Sequence, residues 1–529
     1  MALLINLATK TKRAPLVFPL LLKLIIRPGG NPSFPFSPGR PCIPLCFASS
    51  VSKSDFPYDP SFPLGSSPNH YRYETSDYET EESETVSSDP LALRQFIELL
   101  KQTKQLSISE EAISFLKQSG MQPTEEVVYA MMWELRNEWK LAFLAFRWGG
   151  TYLSNTQRCW NFMTWILAKK KKFNIAWQLV LEMHRLNVSA RKALLIMIKG
   201  YAAANEPGKA VRTFHAFEKF KITADTSAFF ILLSALCKHK NIEEAEELMF
   251  LNKKLFPLGT ESFNIILDGW CNILVDVNEA KRIWREMSNC CIHPDGTSYT
   301  HMICCSSKVG NLFDSLRLYD EMKKKGSVPG ILVYNSLIFI LTKDNCMKEA
   351  RNLLKKIVEA GLEPNADTYN SIIYPLCEAN KLEEARNVLD EMITQRVKPT
   401  AGTFHALVKV ENMGRTLKLI DRMKEVGCDP NASTFLLIFD KFFRWGLPGD
   451  VLRMWSVMGK HNVIPHLKHY VMLVEGLAKC GWLNKAREYY HDMKAKGFSE
   501  DPRLERILRG SKVSNRNREQ SRYIKGEGL

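Results

Sequence analysis

Six cations recur in the sequence at intervals close to 35 residues or to multiples of 35. Ammonium and guanidinium groups bind phosphate, so a row of them at a fixed interval would follow the backbone of a nucleic acid. A cation at the end of a helix also complements the helix dipole, and both interpretations can hold together. The candidate phosphate-binding residues are Lys169, Lys238, Lys308, Lys343, Arg444 and Lys479.

The net charge points to the same kind of partner. The 529-residue chain carries a formal charge of +15, which favours an anionic partner such as a nucleic acid or a membrane surface. Residues 1–54 contain seven basic groups and no acid, whereas residues 55–90 contain nine acids and one arginine. The remaining part of the chain, which is the part predicted to fold, is therefore the basic part.

The sequence contains no pattern typical of a catalytic or metal centre. Neither a phosphate-binding Gly-x-x-x-x-Gly-Lys-Ser/Thr loop nor a Gly-x-Ser-x-Gly nucleophile motif occurs. The thirteen cysteines include no Cys-x-x-Cys pair, and Cys237, Cys271 and Cys377 share a place in the repeat where a small apolar side chain would pack. We therefore predict no enzymatic activity, no cofactor, no metal and no small-molecule substrate. The isolated histidines that are predicted to be surface residues rather than catalysts are His239, His293 and His405.

A period of 35 residues defines the elements that would position the cations. Pro294, Pro329, Pro364 and Pro399 keep this spacing, and tyrosines share it. Each unit contains two amphipathic stretches with apolar residues at i, i+3 and i+4. In unit six the second stretch closes with Gly361, a helix C-cap, before Pro364. Each unit is therefore predicted to be a helical hairpin that stacks on its neighbours.

The predicted fold is all-α, a right-handed α-solenoid (superhelix) of about ten helix-turn-helix repeats at 157–501. The four residues missing from unit eight are predicted to come from its inter-helix turn, around Met413–Thr416. The predicted units, numbered one to ten, are 157–190, 191–225, 226–259, 260–295, 296–330, 331–365, 366–400, 401–431, 432–466 and 467–501.

The flanking segments differ in composition from the repeats. Residues 1–54 are basic, free of acids and rich in Ser and Pro, which predicts an organelle transit peptide, mitochondrial or alternatively chloroplast. Residues 55–90 are predicted to be a disordered acidic, Ser-rich linker, and 91–156 a degenerate helical cap. Residues 502–529 are predicted to be a basic disordered tail. No apolar run is long enough to cross a bilayer, so no membrane partner is expected.

The repeats resemble the pentatricopeptide repeats of plant organelle proteins, and in particular those of the P class. The resemblance lies in the runs Tyr-Asn-Ser-Leu-Ile at 334–338 and Tyr-Asn-Ser-Ile-Ile at 369–373, and in Leu-Glu-Glu-Ala-Arg at 382–386. The rival tetratricopeptide repeat requires a small residue at the eighth position of the first helix. Here that position holds Ile338 in unit six and bulky apolar groups in eight other units.

The resemblance implies that the fifth and last residues of a unit read one RNA base. An amide at the fifth place would favour a pyrimidine and a hydroxyl a purine, so units four to seven would prefer U, purine, pyrimidine and pyrimidine. The fifth residues of units two, three, nine and ten are apolar, and second-place residues depart from the family except at Leu332. The implied base-reading residues are Asn161, Asn264, Asp295, Thr300, Asn335, Asn365, Asn370 and Thr400.

Two functions follow as alternatives. The first is an organellar protein that binds single-stranded RNA and acts by occupancy in transcript processing, stabilisation, splicing or translation, with an RNA-processing enzyme or a ribonucleoprotein as a further partner. The second is a structural subunit of an organellar ribonucleoprotein, such as the ribosome, or a protein-binding helical scaffold. The amides and cations favour the first function, and the apolar fifth residues favour the second.

Overall fold

A computed structural model describes residue 98 and residues 124–150, 157–499 and 501–509. Every described residue lies within one compact part of the chain, Pro60–Leu529. Within these described ranges the regular structure is entirely helical. The prediction of an all-α solenoid is confirmed. The predicted transit peptide and linker lie outside the described residues.

Ten helical hairpins follow one another from residue 157, and each predicted unit starts at the first residue of a helix. The first helices are Gln157–Lys169, Arg191–Ala203, Thr226–Lys238, Thr260–Asp268, Gly296–Lys308, Ile331–Lys343, Ala366–Glu378, Ala401–Val410, Ala432–Arg444 and Leu467–Lys479. The second helices are Phe173–Arg185, Pro207–His215, Ile242–Leu251, Val277–Asn289, Leu312–Lys324, Met347–Glu359, Leu382–Thr394, Met413–Glu425, Pro448–Lys460 and Leu483–Ala495. One further pair, Glu125–Glu134 and Trp139–Gly150, precedes them within the range predicted as a cap.

Local sequence fixes where these helices end. After the second helix of unit six, Gly361 adopts a φ of +73°, a conformation that glycine reaches without a Cβ clash. The N–H of Leu362 donates to the carbonyl of Ile357 at 3.0 Å, and the N–H of Gly361 donates to that of Val358 at 3.0 Å. This pair of bonds is a Schellman motif, which satisfies the last carbonyls, and Pro364 follows it.

The apolar core runs continuously between units. First helices pack against the first helices of their neighbours along the whole array, and no comparable packing joins successive second helices in the described part of the chain. The eighth residue of every first helix is fully buried, from Thr164 in unit one to Val474 in unit ten. Arg282 and Glu246 join the second helices of units three and four by two hydrogen bonds of 2.7 Å. A unit therefore buries its apolar face only against its neighbours.

The predicted location of the four-residue deletion in unit eight was wrong. The residues Met413–Thr416 form the first turn of the second helix rather than the inter-helix turn. The first helix, Ala401–Val410, has ten residues where most units have thirteen, and only residues 411 and 412 separate the two helices. Three of the four missing residues are thus lost from the first helix and one from the turn, which has three residues in units five to seven. The second helix keeps its length and its buried Thr416, Leu419 and Ile420 side chains.

A buried lysine occupies the end of this short helix. The Lys441 ammonium, from the first helix of unit nine, donates to the carbonyls of Val408 and Glu411 at 2.8 and 2.9 Å and to the Thr416 hydroxyl at 2.8 Å. Burial lowers the pKa of Lys441 to about 8, so the group stays protonated at neutral pH. The Val408 carbonyl would otherwise lack an intrahelical partner, because the helix ends before a residue could donate to it. The Glu411 carbonyl also accepts from the Thr416 hydroxyl, at 3.3 Å.

The predicted start of the disordered tail, at residue 502, was wrong. Residues 502–509 are helical, with Leu504 and Leu508 buried. These two leucines are four residues apart and therefore share one face of the helix, which covers the apolar surface of unit ten. Residues 510–529 lie outside the described residues.

We expect the replacement of Lys441 by methionine to lower the free energy of unfolding by about 2–4 kcal/mol, because it removes a charged donor from three buried oxygens. Chemical denaturation monitored by circular dichroism measures the effect. Lys460→Met, at the exposed end of the next helix, is the matched control and should change stability by less than about 0.5 kcal/mol. Equal effects of the two substitutions would contradict a capping role for Lys441.

Candidate nucleic-acid interface

One narrow face of the first-helix layer stays accessible in the packed array. In units one to four and seven, residues three to eight of the first helix are buried and the ninth is part-exposed. The second, ninth and thirteenth residues are spaced so that they lie on one side of a helix. We call the residues at these three places, taken over all units, the first-helix face. Its ninth-place members include Trp165, Lys199, Ser234, Asp268 and Tyr374.

The six predicted phosphate-binding cations all lie on this face, each at the last residue of its helix. Five of them are exposed, and the Lys308 ammonium donates to the Asn272 side-chain oxygen at 2.8 Å. The Lys169 ammonium lies 4.7 Å from the centre of the Trp165 ring, and Arg444 is paired with Asp440. Because these cations lie in the last helical turn, they interact favourably with the helix dipole. Because most of them are exposed, phosphate groups can also reach them.

The fifth residues, by contrast, are buried in units one to seven. Asn161, Asn264, Asn335 and Asn370 are each at most 3% exposed, and Thr300 is 8% exposed. The sequence predicts these side chains to be polar groups facing a ligand, and in this structure they lie between the first helices of neighbouring units. An RNA base can reach them only if those helices separate.

Two of the buried polar fifth residues, Asn264 and Thr300, already have hydrogen-bond partners within the protein. The Asn264 amide donates to Asp295 at 3.1 Å and its oxygen accepts from the Ser298 hydroxyl at 2.6 Å. The Thr300 hydroxyl donates to the carbonyl of Gly296 at 2.7 Å. The structure thus brings together Asn264 and Asp295, the fifth and last residues of unit four, which the sequence analysis pairs.

Three other fifth residues contain buried polar atoms without a hydrogen-bond partner among the described residues. These atoms are Oδ1 of Asn161, both Oδ1 and Nδ2 of Asn335, and Oδ1 of Asn370. An unsatisfied buried polar group costs roughly 1–3 kcal/mol. The chain therefore keeps amides at this place at the expense of stability.

The predicted last-place readers cap helices. The side chains of Asp295, Asn365 and Thr400 accept from the backbone N–H three residues later, at 2.8, 3.0 and 3.4 Å. Each residue is exposed and starts the first helix of the following unit. The sequence analysis missed this role, although Ser or Thr three residues later is a signal of a capping pair.

A polar cluster marks the junction of units four and five. The Asn272 amide donates to Asp268 at 2.7 Å and lies 3.0 Å from Nδ1 of His301. Burial lowers the pKa of His301, so its ring is neutral at physiological pH. Asn272 belongs to a π-turn, Gly269–Leu274, which continues the first helix of this 36-residue unit. An inserted residue thus becomes a local widening of the helix.

Sequence reasoning also missed the ninth-place residues. Trp165 and Tyr374 follow the fifth residue of their units by four positions, so the helical period alone would have placed them beside it. Within the described ranges, no group of three or more His, Cys, Asp or Glu residues is arranged to hold a metal ion. The helices of those same ranges are too short or too polar for any of them to span a bilayer.

The stacked hairpins and their first-helix face define an α-solenoid repeat protein. Profiles of known families match the same part of the chain. The PPR repeat matches residues 360–393 and, as a second profile of that description, 231–251, 332–362 and 468–498. The pentatricopeptide repeat domain matches residues 282–343 and 404–442.

Two Arabidopsis thaliana proteins are similar over most of their length. Pentatricopeptide repeat-containing protein At1g80880, mitochondrial, is 50% identical over 79% of this chain and 77% of its own length. Pentatricopeptide repeat-containing protein At5g15010, mitochondrial, is 37% identical over 74% and 70%. The chain belongs to the pentatricopeptide repeat family. The predicted mitochondrial localisation is confirmed by these two relatives.

Among solved structures, the pentatricopeptide repeat protein PPR10 from maize is 16% identical, with a TM-score of 0.42. The match covers 76% of this chain and 62% of that chain.

We expect Asn335→Leu to raise the free energy of unfolding by about 1 kcal/mol, because it removes two unsatisfied polar atoms from a buried site. Asn264→Leu is the matched control at the same place of another unit. It should lower the free energy of unfolding by about 1–2 kcal/mol, because Asp295 and Ser298 lose their bonds. Thermal and urea unfolding measure both, and a destabilised Asn335→Leu variant would show that this amide has a partner.

Proposed function

We propose that the protein binds single-stranded RNA in the mitochondrion along its layer of first helices and acts by occupancy, without a catalytic step of its own. An occupied segment of RNA cannot pair with itself and cannot be reached by a nuclease. Transcript processing, stabilisation, splicing and translation are each open to such a mechanism. A separate enzyme or ribonucleoprotein would supply any chemistry.

The observation that carries this proposal is the set of unpartnered amides at the fifth place. Asn335 and Asn370 lie in adjacent units, and both contain buried atoms without a hydrogen bond. A nucleobase edge offers the donor and acceptor groups that such an amide lacks. Occupation of these sites by a base would remove the cost of burial without a partner, which is an energetic reason for RNA to bind at these units.

Base reading requires the array to open at these sites. Asn335 is fully buried, so the first helices on either side must move apart before a base edge comes within 3 Å or so of its amide. Opening exposes apolar surface between the two helices. The new hydrogen bonds, together with binding of phosphates by Lys343 and Lys308, would offset the free energy of that exposure. In unit four, a base must also compete with Asp295 and Ser298 for Asn264.

The burial of the fifth residues favours a second candidate function. This function is that of a structural subunit of an organellar ribonucleoprotein or a protein-binding scaffold. If the fifth residues stay buried, RNA can contact only the exposed cations, and contacts between cations and phosphates do not depend on base sequence. Selection from a random single-stranded RNA library at raised salt separates the two functions. Enrichment of a defined sequence supports base reading, and recovery of unrelated sequences alone supports the structural subunit.

The combined substitution of Asn335→Ser and Asn370→Ser should change the base preference at two neighbouring positions of the selected RNA, from pyrimidine toward purine. The reason is that hydroxyl groups replace the amides at the fifth place of two adjacent units. Repeating the selection with the variant measures the change. Asn352→Ser with Asn387→Ser, two exposed amides of the second helices of units six and seven, is the matched control and should leave the preference unchanged. An unchanged preference in the Asn335→Ser and Asn370→Ser variant would contradict base reading by these amides.

The combined substitution of Lys308→Ala and Lys343→Ala should weaken binding to every RNA by a similar factor. For single strands, removal of one phosphate-binding cation reduces the slope of log K against log salt by about 0.7, so the pair should reduce it by about 1.4. Filter binding between low and high salt measures the slope. Lys324→Ala with Lys355→Ala, two exposed cations of second helices, is the charge-matched control and should leave it unchanged.

A further inference from the structure

Charge on the first-helix face is divided sharply along the array. In units one to three the second, ninth and thirteenth places contain five cations and no acid. None of these five side chains is fully buried. The cations are Arg158, Lys169, Lys192, Lys199 and Lys238.

The rest of the face lacks this excess. In units four to seven, the same three places contain four acids, Glu261, Asp268, Asp367 and Glu378, against two cations. In units nine and ten, cations and acids both occur there, and Asp440 is paired with Arg444. Units five, six and eight have no acid at these places either, but each has a single cation, Lys308, Lys343 or Lys409. The first three units therefore differ in the number of their cations, five over three consecutive units.

An aromatic ring lies within this positive surface. Trp165, at the ninth place of unit one, is part-exposed and stacks on the buried Phe162, with ring centres 5.6 Å apart and planes inclined by 11°. Phe162 stacks in turn on Trp133 of the preceding helical pair at 5.6 Å. The column holds the Trp165 ring in place, and the Lys169 ammonium lies over the ring, 4.7 Å from its centre. A base that stacks on this ring therefore takes the place of the ammonium. Aromatic rings among cations are the usual means of holding single strands without regard to sequence.

The fifth residues of units two and three exclude base-specific recognition by these units. Leu195 and Phe230 are buried and apolar, so they cannot form the directional bonds that identify a base edge. The accessible groups of these two units are cations and hydroxyls at the edge of the layer. Contact there is limited to phosphates, sugars and stacked bases.

We propose that units one to three form a sequence-independent clamp for single-stranded RNA, in which the five cations bind phosphates and Trp165 stacks on one base. The occupant is the continuation of the strand that units four to seven bind, so this inference rests on the proposed function. Unit three adjoins unit four directly, and the positive charge complements a polyanion. The array thus divides into a clamp and a reading segment.

The experiment compares the native chain with Lys192→Ala, Lys199→Ala and Lys238→Ala combined. Lys219→Ala, Lys253→Ala and Lys254→Ala combined, in the same two units but outside the first helices, form the charge-matched control. The probe is the RNA sequence selected by the native chain, alone or extended by eight nucleotides at either end. The native chain and the control should gain at least about tenfold in affinity from one of the two extensions, whatever its sequence, and the clamp variant should not.

Salt dependence gives a second measurement on the same proteins. Removal of three phosphate-binding cations should reduce the slope of log K against log salt by about 2 with the extended probe, and leave it unchanged with the short probe. Phosphatidylserine vesicles are a parallel ligand. A clamp variant that loses vesicle binding but keeps the full gain from the extension would overturn the proposal in favour of a membrane contact.

Trp165 is tested with abasic extensions, which keep the phosphates and remove the bases. The native chain should bind an abasic extension about 5- to 100-fold more weakly than a normal one, as expected for the removal of one stacked base. Trp165→Ala should bind both extensions equally, with an unaltered salt slope, and Trp165→Tyr should restore the difference. Thermal unfolding checks that each variant is folded, and unequal binding by Trp165→Ala would overturn the stacking role.

The outcomes separate the clamp from the proposed function. If the native chain binds selected RNA but no extension strengthens binding, the clamp is wrong and RNA recognition by units four to seven stands. If extensions strengthen binding equally in all variants, the clamp is also wrong. If the native chain binds no RNA at all, the proposed function itself fails.

Discussion

The structure depends on one constraint: a two-helix unit cannot bury its apolar face by itself. The eighth residue of each first helix is fully buried against neighbouring units, as Ile303, Ile338 and Ile373 are in units five to seven. Stacking therefore fixes the distance between neighbouring units, and with it the interval between side chains on the first-helix face. Groups such as Lys308 and Lys343 form a row because the core between them repeats.

The same constraint determines how the array accommodates changes in unit length. Unit four has one residue more than the 35-residue period and absorbs it in a π-turn, where Asn272 joins Asp268, His301 and Lys308 in a hydrogen-bonded cluster. Unit eight is shorter, and Lys441 of the next unit donates to the Val408 carbonyl, as the missing residues would have done. In both cases the second helix keeps its packing and the first helix adapts.

The sequence predicted the elements well because their signals are local. The spacing of Pro294, Pro329 and Pro364 and the glycine at 361 set the register to the residue. The burial of the fifth residues was not predictable in this way, since it depends on how closely two first helices approach. Nor was the shortening of unit eight, because the deletion falls where packing against other units permits it. The roles of the predicted site residues stay predictions.

Stability and recognition place opposite demands on the fifth position. Leu195 and Phe230 satisfy the packing demand, since an apolar side chain buried between helices leaves no group without a partner. Asn335 and Asn370 satisfy it poorly, because their amide atoms are buried without a hydrogen bond. An array with apolar groups at every unit would be more stable and unable to distinguish bases. Selectivity is therefore expected where stability is lowest, and units with apolar fifth residues are left to contribute phosphate binding and rigidity.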